Sequence, residues 1–127
     1  MPSVQRLQHT SVPMPPGGED TARQFYGTVL GLREIPTPGN LAAMKLVWFA
    51  ANEDGSEVHL FTAEGAVSNA AQHLCLEVDD LAAYERRLAD QGYTVEIPET
   101  IVNRPRLFTR DPFGNLLELV QILGPYH

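Results

Sequence analysis

Four side chains in this 127-residue sequence are of the types that bind first-row divalent metals: His9, His59, His73 and Glu118. A single histidine on a strand is ordinarily a surface or hydrogen-bonded residue. These four stand at related positions instead. His9 and His73 each open a half of the chain, while His59 and Glu118 each follow a hairpin glycine, Gly55 and Gly114, by the same step. Two or three imidazoles with one carboxylate form a nitrogen/oxygen donor set that suits one divalent ion, with iron, manganese, nickel, cobalt and zinc all compatible. Strand alternation adds neighbours to the set. Glu57 and Phe61 share a face with His59, and Cys75 and Glu77 share one with His73. Glu118 and Glu57 are the candidate proton-transfer groups beside such an ion. Trp48, Phe61, Cys75, Glu77 and Arg106 are the candidate substrate-binding residues, the aromatics as walls and the arginine as an anion partner.

The elements that must position these residues repeat. A short strand over Leu7–Val12 is followed by a helix whose apolar stripe is Ala22, Phe25, Tyr26, Val29 and Leu30, a period of about 3.6. Thr21 and Gln24 have capping-box spacing, and Gly31 suits a left-handed stop. Strand signals follow at Leu32–Ile35, Met44–Ala50 and Glu57–Thr62. The second half repeats the order: a strand over Gln72–Val78, then a helix capped by Asp79 or Asp80 with the stripe Leu81, Tyr84 and Leu88, ended by Gly92. Strands follow at Tyr93–Ile97, Leu107–Arg110 and Leu116–Ile122, the last two joined through Asp111-Pro112-Phe113-Gly114-Asn115. Asn52-Glu53-Asp54-Gly55 serves the same purpose in the first half. The expectation is an α+β fold of two βαβββ modules, about 3–62 and about 70–122, with a curved, mostly antiparallel sheet cupping the metal site. The polar and small segment Ala63–Asn69 joins them within a single domain spanning 1–127. Val58 and Leu60, and Leu74, Leu76 and Val78, point away from the candidate ligands and toward the helices. His127 stands outside both repeats and is expected to be exposed.

Bulk properties narrow the function classes. A hydrophobic fraction of 43% with 20% charged residues is ordinary for a globular chain. The net charge of -7 and sequence pI near 4.9 disfavour nucleic acid and anionic membrane surfaces as partners, leaving a small molecule. Cys75 is the only cysteine, so no internal disulfide forms and a reducing, cytoplasmic setting is expected. No stretch approaches a membrane span or a secretion signal.

Several segments resemble the vicinal oxygen chelate superfamily of glyoxalase I, bleomycin- and fosfomycin-resistance proteins, methylmalonyl-CoA epimerase and extradiol dioxygenases. They are Gln8-His9-Thr10, Phe25-Tyr26 through Leu30-Gly31-Leu32, Val47-Trp48-Phe49, Val58-His59-Leu60-Phe61, Gln72-His73-Leu74 and Val78-Asp79-Asp80-Leu81. The most specific is Arg106-Leu107-Phe108 through Asp111-Pro112-Phe113-Gly114-Asn115-Leu116-Leu117-Glu118-Leu119. The resemblance implies a metal between paired modules, commonly at a homodimer interface, with ligands from the first and last strands of each module: His9, His59, His73 and Glu118. Glyoxalase I-like enzymes usually carry Glu or Gln where this chain has His59, which disfavours a simple glyoxalase. The His, His, Glu set of fosfomycin-resistance enzymes fits His9, His73 and Glu118, but their basic tail has no counterpart here. The resemblance therefore implies a metal-dependent lyase, isomerase or dioxygenase acting on a small oxygenated molecule. The alternative it leaves is a drug- or metabolite-sequestering protein of the bleomycin-resistance type.

Overall fold

The computed structural model describes residues 1–65 and 71–125 and divides into two compact units, Met1–Gly65 and Ala66–His127. The part of the expected connector from Ala66 to Asn69 lies outside the described residues, as does His127.

In the first unit, β1 (His9–Met14) leads to α1 (Glu19–Ala22), which continues as a π-helical stretch over Arg23–Val29. Then come β2 (Arg33–Ile35), a 3-10 turn over Gly39–Met44, β3 (Val47–Ala50) and β4 (Glu57–Thr62). The four strands lie in the order β1-β4-β3-β2, with β1 parallel to β4 and the other pairs antiparallel. This is the expected βαβββ module. Its buried apolar residues are Val12, Met14, Val47, Phe49, Val58 and Leu60 from the sheet, with Ala22, Phe25, Tyr26, Val29 and Leu30 from the helix. The whole apolar stripe read from the sequence is therefore interior.

Three local expectations are corrected. The capping box at Thr21 does not form. The helix begins earlier, at Gly18, whose carbonyl accepts from Ala22 N at 2.8 Å, and Glu19 and Asp20 occupy the first turn, where the helix dipole favours acids. The last turn widens, with Leu30 N donating to Phe25 O at 2.9 Å before Gly31 turns left-handed at φ 82°. The third strand starts at Val47 rather than Met44, because Lys45 takes a left-handed conformation at φ 56° that no strand can include. The first strand likewise starts at His9, leaving Leu7 exposed.

The second unit contains β5 (His73–Glu77), α2 (Leu81–Asp90), β6 (Arg106–Arg110) and β7 (Leu116–Val120), with strand order β5-β7-β6. Again the first strand is parallel to the last, and the last two are antiparallel. Asp80 is the cap of α2, accepting from Ala83 N at 3.1 Å. The strand expected at Tyr93–Ile97 shrinks to one bridge, Glu96 with Phe108, whose two backbone hydrogen bonds measure 2.9 and 2.8 Å. Pro98 has no N–H to extend the ladder. Leu74, Leu81, Leu88, Leu107, Leu117 and Leu119 are buried. Among the described residues, no helix is long and apolar enough to cross a membrane.

Candidate functional site

The structure gathers the candidate residues as two clusters, one in each unit. In the first, register sets the neighbours. Trp48 on β3 is directly opposite His59 on β4, while His9 and Ser11 on β1 pair with Glu57 and His59. Directly paired residues share a face, so Trp48, His59 and Ser11 form one row across three strands, with His9 one diagonal step from His59 on the same face. Trp48 stacks on His59 with centroids 3.8 Å apart and planes 2° apart. His9 stacks on the other face at 4.1 Å and 18°. Parity alone left the partners of Trp48 undecided; the pairing of β3 with β4 identifies them. Flanked on both sides, His59 is only 7% exposed.

Hydrogen bonds fix the edges of this cluster. His59 Nε2 lies 2.8 Å from Glu57 Oε1, and His9 Nδ1 lies 2.5 Å from Gln8 Oε1. The bond to His59 is the main reason the Glu57 carboxyl sits below the usual range; partial burial opposes it, and Gln8 and the two imidazoles reinforce it. Phe61 lies farther along the same face of β4, paired with Pro13 and partly exposed.

The second cluster surrounds Glu118 in the middle of β7. Its register neighbours are Cys75 on β5 and Phe108 on β6, with His73 one diagonal step away. His73 Nε2 is 3.0 Å from Glu118 Oε1, and His73 Nδ1 is 3.0 Å from the Ala71 carbonyl. Arg106 donates from NH1 to Glu118 Oε2 at 3.5 Å and from NH2 to the Glu99 carbonyl at 3.1 Å. Phe108 meets the His73 ring edge-on at 5.1 Å, and the Arg106 guanidinium lies 5.7 Å from the Phe108 centroid. The Cys75 thiol is pushed up to about 11, first by partial burial and then by the Glu118 charge, with Arg106 opposing. Glu77 sits at the exposed end of β5, opposite Val120. Phe108 was not among the residues singled out from the sequence. Its alternation with Arg106 across Leu107 was the available signal.

The donor sets differ in how they suit a metal ion. An ion lies in the plane of every imidazole that binds it, at about 2.0–2.1 Å. The His9 and His59 planes are nearly parallel, so in this arrangement no point lies in both at that distance. His73 and Glu118 fit better. A carbonyl can only accept, so His73 Nδ1 carries a proton, and Nε2 of the neutral ring is then a lone pair facing a carboxylate oxygen. Two acceptors at 3.0 Å require something positive between them, either a proton or a metal. In a tetrahedral site the two donor atoms would stand about 3.4 Å apart, a small widening. Among the described residues, no three His, Cys, Asp or Glu side chains form a group able to hold an ion.

This α+β fold of two units, each with ligand-type residues on one face of its sheet, has known relatives. A model of the Glyoxalase/Bleomycin resistance protein/Dioxygenase superfamily matches residues 6–119. The chain belongs to that superfamily. A glyoxalase family protein from Bacillus anthracis is similar in structure at a TM-score of 0.87 and 28% identity, covering 96% of this chain and 98% of its own. TnmS3, an antibiotic binding protein from Streptomyces sp. CB03234, gives 0.76 at 22% identity, covering 96% and 99%. A lactoylglutathione lyase from Agrobacterium tumefaciens gives 0.68 at 22% identity, covering 93% and 94%. The last two likenesses establish the fold alone. No curated protein matches the sequence.

Proposed function

We propose that this protein is a metal-dependent enzyme acting on a small oxygenated molecule, in the lyase, isomerase or ring-cleavage range. The observation that carries the reading is the His73–Glu118 pair, in which His73 Nε2 and a carboxylate oxygen face each other at 3.0 Å while Nδ1 is committed to the Ala71 carbonyl. That outer hydrogen bond is the arrangement that orients metal-binding histidines. A divalent ion held by His73 and Glu118 would supply Lewis-acid chemistry, drawing charge from neighbouring substrate oxygens. His9 is the third ligand that the family resemblance implies, and His59 the fourth. The stacked, Glu57-bonded state of His59 favours a role in shaping the site over one in holding the ion.

The chain's own groups have distinct tasks in this reading. Arg106 holds Glu118 Oε2, which leaves Oε1 as the oxygen that binds or takes a proton. Glu57, with its lowered pKa, is ionised at neutral pH and keeps a proton on His59 Nε2. The Cys75 thiol, pushed up to about 11, favours its protonated form at neutral pH, which argues against a nucleophilic role. A cytoplasmic homodimer completes the proposal, the first supported by the single cysteine and the second by the resemblance.

The Trp48–His59–His9 stack favours a second reading, a small-molecule binding protein in which aromatic rings supply the affinity. Crystallography with anomalous scattering at metal edges separates the two. The enzyme reading expects an ion within about 2.2 Å of both His73 Nε2 and Glu118 Oε1. An aromatic ligand against Trp48, with the His73–Glu118 pair closed on a proton, would support the binding protein.

A further inference from the structure

The sheet face that carries His73 and Glu118 also borders a cavity of ≈ 250 Å³, lined by Thr94, Glu96, Phe108, Thr109, Arg110 and Leu116. Register ties this cavity to the pair. Leu116 stands directly opposite His73, and Phe108 directly opposite Glu118. Directly opposed side chains are neighbours, with Cβ atoms about 5 Å apart, so a group in the cavity lies beside the pair and not on it. The size is that of one substituted ring. Pockets for whole ligands measure about 300–1,000 Å³, whereas an apolar cavity of about 150 Å³ already admits benzene. Phe108 and Leu116, both half-buried, supply the apolar floor, and Phe108 offers a ring to stack on.

Two opposite charges edge the cavity. The bridge between Glu96 and Phe108 puts the Glu96 side chain on the Phe108 face, and Arg110 shares that face two residues along β6. Both residues are exposed, so a ligand can reach them. Among the described residues Glu96 makes no side-chain hydrogen bond or ion pair. Arg110 makes one, from NH1 to the Gly114 carbonyl at 2.7 Å. The two charges therefore line one cavity without pairing with each other. That arrangement disfavours ions of either sign: a carboxylate drawn to Arg110 also meets Glu96, and an ammonium meets the reverse. A neutral hydroxyl is served by both, donating to the Glu96 carboxylate and accepting from the Arg110 guanidinium. We propose that this cavity is a subsite for a neutral, hydroxyl-bearing aromatic ring, carried as a substituent of the molecule held at His73 and Glu118. As a statement about substrate it rests on the metal reading above; binding of the ring itself needs no metal.

The test is an NMR titration of chelator-treated full chain with phenol, benzoate, benzylamine and toluene. Phenol is expected to bind about fivefold or more tightly than each of the others, with shifts centred on Phe108 and Leu116. Removing one charge at a time then gives the signature. Glu96→Gln, a change at an exposed position, leaves Arg110 unopposed and is expected to improve benzoate binding about threefold or more. Arg110→Gln is expected to do the same for benzylamine. Absence of phenol binding, or shifts centred away from the lining residues, would overturn the proposal. So would benzoate or toluene matching phenol in the parent protein, or benzoate unchanged in Glu96→Gln together with benzylamine unchanged in Arg110→Gln. All these affinities are read without metal, so their failure is distinct from a failure of the metal reading.

Discussion

At the scale of single residues, the two clusters respond to pH in opposite ways. The Glu57 carboxyl is held below its usual 4.5 in the folded chain, so the unfolded chain binds the proton more readily. Its contribution to stability is present above that usual value and is lost as pH falls through the folded value. Glu57→Gln is therefore expected to lower stability at neutral pH and to flatten the acid limb of the profile below about pH 4.5, where parent and variant converge. Cys75 goes the other way. Although solvent reaches it, its thiol is pushed up to about 11. Alkylation by iodoacetamide in metal-free protein is expected to be slower at pH 8 than for a free thiol, and to keep rising with pH toward 11. Glu118→Gln removes the second cause of the shift and is expected to speed the reaction. A rate at pH 8 equal to that of a small thiol would contradict the placement of Cys75 against Glu118.

At the scale of elements, the turn between β6 and β7 depends on one buried carboxylate. Asp111 Oδ1 accepts from Phe113 N at 2.9 Å and Asn115 N at 2.8 Å, and Oδ2 from Asn115 Nδ2 at 2.8 Å. The turn sets the register that places Glu118 beside Cys75 and Phe108. Asp111→Ala is expected to cost about 2–4 kcal/mol in urea denaturation, against about 1 kcal/mol for Asp80→Ala, which removes a single helix cap. Most elements were legible because their cause is local. The helix stripe of Phe25, Tyr26 and Val29, the strand Glu57–Thr62 and the helix Leu81–Asp90 follow from periodicity and caps. The misread boundaries have causes that periodicity does not carry. Lys45 adopts a left-handed conformation without being glycine, and Gly18 captures the helix start from Thr21. Tyr93–Ile97 has a strand's composition but pairs only at Glu96.

At the scale of the whole molecule, the acidic balance of -7 predicts a solubility minimum near pH 4.9, measurable by light scattering across a pH series. Superfamily membership was legible because the segments that carry it are spread over residues 6–119 and fall in one order. Within the site, the pairing of His73 with Glu118 followed from strand parity plus the repeat. The stacking of His59 between Trp48 and His9 did not, since ring orientation depends on which strands are adjacent and in what register. The central claim, that His73 and Glu118 hold a divalent metal, is tested most directly by elemental analysis of untagged protein beside His73→Ala and Glu118→Ala. The account predicts one equivalent of a first-row divalent metal per chain in the parent protein and its loss in both variants. Metal-free parent protein that gains none on incubation with iron, manganese, cobalt, nickel or zinc would contradict it, as would full retention of metal in either folded variant.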